Sequence, residues 1–421
     1  MHPDSENWNW DSEKKLVADL SPLRAECEAL HEATVSPDGE RVALVVLKEE
    51  EIFKVAVNGE PWEPEFEKAW QLCFAPDGRL TALVRKDDEW TVAVDGELWD
   101  EAFEFAWNTT FSADGHSIGV QVKRGMQYSV AVNGTAWEES FRSCRGFALS
   151  GDGKHAAAVV QVEDVPEADI FKFMEGSWSV AVDGKAWDSR YINVYSPAFS
   201  VDGTQVAVEV RLDICDYTVA LDEAPWEARF SCIWEPVFRP QGAILAPVRT
   251  QGAWTLAEDG KPMWNGRYVQ LWRHVLSPDG QHVAAVAATD YGRWTVVVDD
   301  RPWDQTFSDL VIRPIFSPDG KRVAAVVKDQ ERWGVAVDGQ AWPSTFDMVW
   351  DPVFSPDGKR VAAKVDINGR HHLVVDGRLW DTAFEQMWEP VFSPDGSKLM
   401  VRFINSDRYH RQVLPVQSVL G

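Results

Sequence analysis

Trp342–Gly358 reads WPSTFDMVWDPVFSPDG. Its aromatic residues Trp342, Phe346, Trp350 and Phe354 step by four, and the turn Ser355-Pro356-Asp357-Gly358 closes it. Val337-Asp338-Gly339 lies just upstream, and Trp380–Gly396, WDTAFEQMWEPVFSPDG, repeats the whole unit. Pro presets the first central dihedral of such a turn, Asp bonds its own backbone, and Gly takes the left-handed position. SPDG therefore joins two antiparallel strands.

Working outward, the turn or a degenerate form of it occurs ten times. The aspartates are Asp38, Asp77, Asp114, Asp152, Asp202, Asp279, Asp319, Asp357 and Asp395, with Gln241 in the sixth copy. A near-fixed period of this size marks a repeat architecture. After each turn comes an Ala/Val run such as Arg322–Val327, which has the composition of a strand buried on both faces. A polar loop follows, then an aromatic-led strand such as Trp333–Gly339, then an Asp-Gly or Asn-Gly hairpin turn. The last strand is expected to open with Trp and carry Phe or Tyr four residues on, as in Trp62/Phe66, Trp303/Phe307 and Trp342/Phe346. On a strand, residues an even number apart share a face, so the comb is expected to place its rings between neighbouring repeats. Pro352, Pro390 and a turn every ~20 residues exclude a long helix.

Four short antiparallel strands per ~38 residues make one propeller blade. The expected fold is all-β: a β-propeller of about ten repeats over residues 31–421. A single ring is favoured by the even spacing. Two five-bladed propellers are the alternative, prompted by the degenerate Leu221-Asp222-Glu223 and Arg239-Pro240-Gln241-Gly242 near the middle. The tenth copy lacks its last strand. Residues 1–30 form an N-terminal segment, of which residues near 5–12 are expected to close the ring, because Trp10-Asp11-Ser12 echoes Trp187-Asp188-Ser189. Residues 13–30 read as helical or irregular.

One repeat is longer. Gln161–Ser177, QVEDVPEADIFKFMEGS, inserts between the second and third strands of the fourth blade. Apolar side chains on a loop mark contact with a partner, so Ile170, Phe171, Phe173 and Met174 are the candidate docking residues. The competing reading is a loop folded onto its own blade.

Composition narrows the function. The 421 residues carry a net charge of −26. Residues 1–200 hold 37 acids and 18 bases (−19), and the remainder holds 30 and 23 (−7). Such a surface repels nucleic acid and anionic lipid. No window reaches the ~18 apolar residues of a membrane span, and the N-terminus lacks the pattern of a secretory signal. Cys27, Cys73, Cys144, Cys215 and Cys232 are scattered, without CxxC, and read as free thiols of a reducing compartment. GxSxG, Walker A, GxGxxG and HExxH motifs are absent. His371-His372 is the one histidine pair, but adjacent strand residues point to opposite faces. No catalytic, cofactor-binding or metal residue emerges, and the expected protein is not an enzyme.

The SPDG turns and the V-D-G-x-x-W hairpins resemble WD40-like (TolB-type) propeller repeats over residues 31–414. With 22 tryptophans, the chain is similar to the tryptophan-rich propeller subunit family of the Tmc transmembrane redox complex of sulfate-reducing bacteria. The tryptophans that carry the likeness are those of the DGxxW hairpins together with Trp70, Trp107, Trp234, Trp272, Trp350 and Trp388. That resemblance implies a cofactor-free scaffold on the cytoplasmic side of the inner membrane, held there through partners. The implied partners are an iron–sulfur protein, a membrane cytochrome b and a multihaem cytochrome c. Two other classes remain open from the residues alone: a hydrolase or lyase at the mouth of the ring, and a sugar- or peptide-binding propeller with one site per blade.

Overall fold

The computed structural model describes residues 3–164 and 170–421, with no side-chain description at residues 3, 4 and 170. Ten antiparallel sheets follow one another along the chain. Blade 1 is typical: strands Ala29–Val35, Val42–Glu49, Ile52–Val57 and Glu60–Pro61 pair in sequence order. Blades 2 to 9 span residues 68–98, 105–136, 144–186, 193–225, 232–262, 270–302, 310–341 and 348–379, and blade 10 begins at residue 386. The first strands of neighbouring blades lie against one another and so face the axis. Turns between strands one and two and between three and four share one face, here the turn face. The loops between strands two and three project from the opposite, loop face.

The blades form one ten-bladed ring. A continuous apolar cluster joins blade 5 to blade 6, through Ala207 and Val219 against Ile233 and Ile244, so there is no break in the middle. The second strands are buried on both faces, as in Val323–Val327. Their alanines, among them Ala324 and Ala325, let adjacent sheets approach closely.

The aromatic comb is arranged differently from the sequence expectation. The fourth strand is only two residues long, Gln340–Ala341 in blade 8, and ends before the tryptophan. Trp342 donates its N–H to Val335 O (2.8 Å), and the chain then turns back so that Phe346 bridges Trp333 on the third strand. The step of four is therefore a return along the blade rather than a stretch of strand. Trp350 and Phe354 also part company, because the first strand is interrupted at Asp351-Pro352. Phe354 packs toward blade 8, whereas Trp350 meets Lys364 and His371 on the face toward blade 10. Blade 2 reaches the same result with a bulge between Trp70 and Cys73, centred on Gln71 at φ 52°. One extra residue reverses the parity of a strand.

The comb's rings do pack between neighbouring blades. Trp342 and Phe346 of blade 8 pack against Val361, Ala363, Val365 and Val374 of blade 9. The indole also supports the next blade's hairpin. A Cβ added at Gly377 (φ +78°) would lie 3.3 Å from the ring of Trp342. The same glycine-on-indole contact occurs at Gly96/Trp62, Gly134/Trp99, Gly184/Trp137, Gly260/Trp226 and Gly339/Trp303. Two blades lack the glycine, and there a carboxylate binds the preceding blade instead. Glu223 accepts from Ser189 N–H (3.3 Å), and Asp300 from Asn265 N–H (2.7 Å).

Each SPDG turn is internally bonded. Ser355 Oγ–H donates to Asp357 Oδ1 (2.6 Å), which also accepts from Lys359 N–H, and Ser355 Oγ accepts from Arg360 N–H. The hairpin aspartate fastens the two turns of a blade together: Asp376 Oδ1 accepts from Val361 N–H (2.9 Å).

Ring closure corrects the reading of the N-terminus. The closing strand is Lys14–Asp19, antiparallel to Arg408–Pro415, and not residues 5–12. A short helix, Ser21–Glu26, follows it. Residues Pro3–Asn7 form a 3-10 turn, and Trp10 Nε1–H donates to Ser5 O. Pairing here uses the backbone, so the strand needs no aromatic and its sequence carries no copy of the repeat. The seam between blades 10 and 1 is polar. Buried Arg402 donates to Ser36 O (3.0 Å) and Glu389 O (2.8 Å), Arg411 to Asp38 O (2.8 Å), and Tyr409 OH to Gly39 O (2.9 Å).

Trp342→Ala is expected to cost about 3 kcal/mol in chemical denaturation, through the cavity and the lost support of Gly377. Deleting residues 1–19 should expose the edge of Arg408–Pro415, lower the melting temperature and give dimers or larger species in size-exclusion chromatography with light scattering.

Candidate interaction surface

The insertion Gln161–Ser177 leaves the loop face of blade 4. Its base is fixed. Val162 N–H donates to Ser177 O, and Ser177 N–H to Tyr191 O. Ion pairs tie it to the connections on either side: Arg142 to Asp164 (3.3 Å) and Arg190 to Glu163 (2.7 Å). Residues 165–169 lie outside the described residues. A short helix, Ile170–Glu175, carries the candidate docking residues. Phe171 is 81% exposed, Phe173 is exposed, and Met174 is half-buried. The side chain of Ile170 lies outside the described residues. The structure thus presents Phe171 largely, and Phe173 partly, to solvent.

Neighbouring loops extend the patch. Met126 tips the loop of blade 3 and Ile214 that of blade 5, both exposed. Three consecutive blades therefore display large apolar side chains on one face. The sequence reading missed Met126 and Ile214 because each is a single apolar residue in a short polar loop. Only the ring topology sets them on either side of the insertion. On the other side, blades 1 and 2 end their loops in Glu49-Glu50-Glu51 and Asp87-Asp88-Glu89, all exposed. The loop face thus combines an apolar arc with an acidic one.

Nearer the axis, the second strands carry four buried polar side chains at equivalent positions: Gln121, Glu209, Lys364 and Arg402. Three are accommodated. Gln121 donates to Cys144 O of the next blade (2.9 Å), Lys364 sits 4.0 Å over Trp350, and Arg402 serves the seam. Glu209 has no hydrogen bond among the described residues, and Glu235 of blade 6 lies near it. Burial first and the Glu235 charge second push its carboxyl up to about 8. It is held protonated in the folded protein at neutral pH, which no pattern in the repeat reveals.

The other chemical candidates do not assemble. His371 meets Trp350 edge-on (5.2 Å between centroids), and its Nδ1 is 3.8 Å from Asp366. Among the described residues, no three His, Cys, Asp or Glu side chains come together as a metal site. All five cysteines are free, and burial pushes the Cys144 thiol up to about 11. No helix among the described residues is long and apolar enough to cross a membrane.

No protein-family model and no curated protein matches the chain. Solved structures that are similar to it are of low identity. A eukaryotic initiation factor covers 83% of this chain and 94% of its own length at 11% identity, TM-score 0.48. TolB from Acinetobacter baumannii covers 73% and 78% at 16% identity, TM-score 0.30. A Dos1 propeller covers 95% of each chain at 10% identity, TM-score 0.36. The chain is a ten-bladed β-propeller with TolB-like and WD40-like neighbours. Likeness at this level speaks to the fold alone.

Glu209 provides a pH test. Its folded pKa is raised above the ordinary glutamate value. The folded state therefore holds a proton that the unfolded chain releases. Stability from this group is full below about pH 4 and is lost as pH rises toward 8. Glu209→Gln is expected to raise the melting temperature at pH 8 and leave it nearly unchanged at pH 4.5.

Proposed function

We propose that the protein is a non-catalytic, cofactor-free scaffold that binds partner proteins on its loop face, within a membrane-associated electron-transfer assembly. The observation that carries this reading is the apolar arc: Met126, Phe171, Phe173 and Ile214 project into solvent from the loops of three adjacent blades. Large exposed apolar groups concentrated on one face mark interaction surfaces. The regular aromatic residues support a scaffold role as well, because they are used in joining blades and leave a rigid frame. Rigidity lets one face present several loops in fixed relation.

The electron-transfer setting rests on the tryptophan-rich repeat pattern described above. In that setting the partners are an iron–sulfur protein, a membrane cytochrome b and a multihaem cytochrome c. The propeller adds no redox group and sits at the inner membrane's cytoplasmic side through these subunits. The acidic loops of blades 1 and 2 favour partners with basic flanks.

Purification of an affinity-tagged chain from native membranes in mild detergent tests the reading. Haem absorbance and iron–sulfur protein should co-elute with it. A chain that elutes alone would sink the proposal. Phe171→Ser combined with Phe173→Ser should abolish co-elution while changing stability by less than about 0.5 kcal/mol, as for surface positions.

A further inference from the structure

Half of the blades share a second regularity, and blade 7 lacks it. In blades 2, 3, 5, 6 and 8 the second-strand residue opposite the third-strand aromatic is a base. The pairs are Arg85/Trp90, Lys123/Tyr128, Arg211/Tyr217, Arg249/Trp254 and Lys328/Trp333. In two of these the charge lies over the ring, Lys328 at 5.4 Å from the centroid of Trp333 and Arg211 at 5.7 Å from that of Tyr217. Blades 1 and 4 reach a similar end by other routes. Lys68 of blade 2 covers Phe53 at 4.9 Å, and first-strand Arg145 covers Trp178 at 3.8 Å. A cation over an aromatic face is thus a recurring contact of this ring.

In blade 7 the position opposite Trp294 is Ala288. Its side chain ends at Cβ, and a recess of about 260 Å³ opens beside the ring. Trp272 and Trp294 line it, with centroids 5.0 Å apart. The nearest bases of the same blade, Arg273 and Arg293, lie over neither ring among the described residues. Two acceptors border the recess. Gln270 Oε1 is buried without a hydrogen-bond partner. Asp290 is exposed at the rim and accepts from Tyr291 N–H (2.8 Å). Tyr291, 92% exposed, stands at the loop tip above. An indole face, an unused buried amide oxygen and a carboxylate together fit a planar cation with several N–H donors. A guanidinium meets all three requirements, since it stacks on indole and forks its donors toward oxygen.

We propose that this recess on the loop face of blade 7 receives an arginine side chain from a partner protein, in place of the base that five other blades supply from their own second strand. The inference rests on the scaffold reading and gives one contact of the partner a chemistry and a place. Blade 7 lies across the loop face from the acidic blades 1 and 2, so the site is distinct from the apolar arc of blades 3 to 5.

The test uses the full chain and ligand-observed NMR titration with acetyl-Gly-Arg-Gly-amide, its citrulline counterpart and its lysine counterpart. The arginine peptide should bind about tenfold more tightly than the citrulline one, the size of a well-placed cation–π contact. Ala288→Arg restores the residue type of the other blades and should fill the recess from within. It should cut peptide binding about tenfold while the protein melts as wild type. Asp290→Asn, at an exposed loop position, should weaken binding several-fold and keeps the test valid if Ala288→Arg folds poorly. Equal binding of the citrulline peptide, or undiminished binding by both variants, overturns the proposal. Equal binding of the lysine peptide overturns the choice of guanidinium. Peptide silence with partners still co-eluting from membranes refutes this site alone. Peptide binding by a chain that elutes without partners refutes the scaffold reading instead.

Discussion

A glycine lying against an indole joins each blade to the next in most of the ring. The hairpin glycine of one blade has positive φ and lies close against the tryptophan of the preceding blade, so that an added Cβ would meet that side chain at 3.0 to 3.5 Å. A blade of four short strands is apolar on both faces and cannot be stable alone. It must be covered on each side, and the ring is the arrangement in which every blade covers its neighbour. The tryptophan excess follows from this. Each blade needs one large flat group at its outer corner, and the indole supplies both area and shape. Where glycine is missing, Glu223 and Asp300 substitute a charged hydrogen bond to the preceding backbone. The constraint is thus contact across the outer corner, met in more than one chemistry.

The seam obeys a different rule. Blade 10 takes its fourth strand from residues 14–19, so the two ends of the chain hold one another by backbone pairing. No tryptophan stands at that corner. Gly59 of blade 1 meets the carbonyl of Asp19 instead. Arg402, Arg411 and Tyr409 then bond carbonyls of the first SPDG turn. These groups are buried, and the Arg402 Nη, Arg411 Nε and Tyr409 OH donors are directed to backbone acceptors, while Arg402 Nε is left without a partner among the described residues. The closing joint is therefore more polar and more directional than the other interfaces.

Function lies where regularity stops. The uniform turns of one face leave little to distinguish the blades. The opposite face differs from blade to blade: acidic in blades 1 and 2, apolar in blades 3 to 5, and recessed beside a pair of indoles in blade 7. Such variation on a rigid frame suits the recognition of a large partner through several separated contacts. It also explains why no metal-binding cluster forms among the described residues, since the varying side chains stand on different blades rather than converging.

The sequence by itself determined the repeat, the four-stranded blade, the turn chemistry and the apolar insertion. These are local properties: a turn needs Ser, Pro, Asp and Gly in order, and a doubly buried strand needs Ala and Val. It could not show that a residue's parity changes at Gln71 or Asp351, because a bulge is set by pairing with the neighbouring strand. Trp350 and Phe354 look equivalent in the chain yet serve two different interfaces. Nor could it find Lys14–Asp19, since an edge strand held by backbone bonds carries no side-chain signature. The single ten-bladed ring and the grouping of Met126 and Ile214 with the insertion were decided by tertiary structure alone. Side chains almost 90 residues apart become neighbours only when each blade is rotated about a common axis. The same holds for the place left open by Ala288, which has meaning only beside the bases that stand there in other blades.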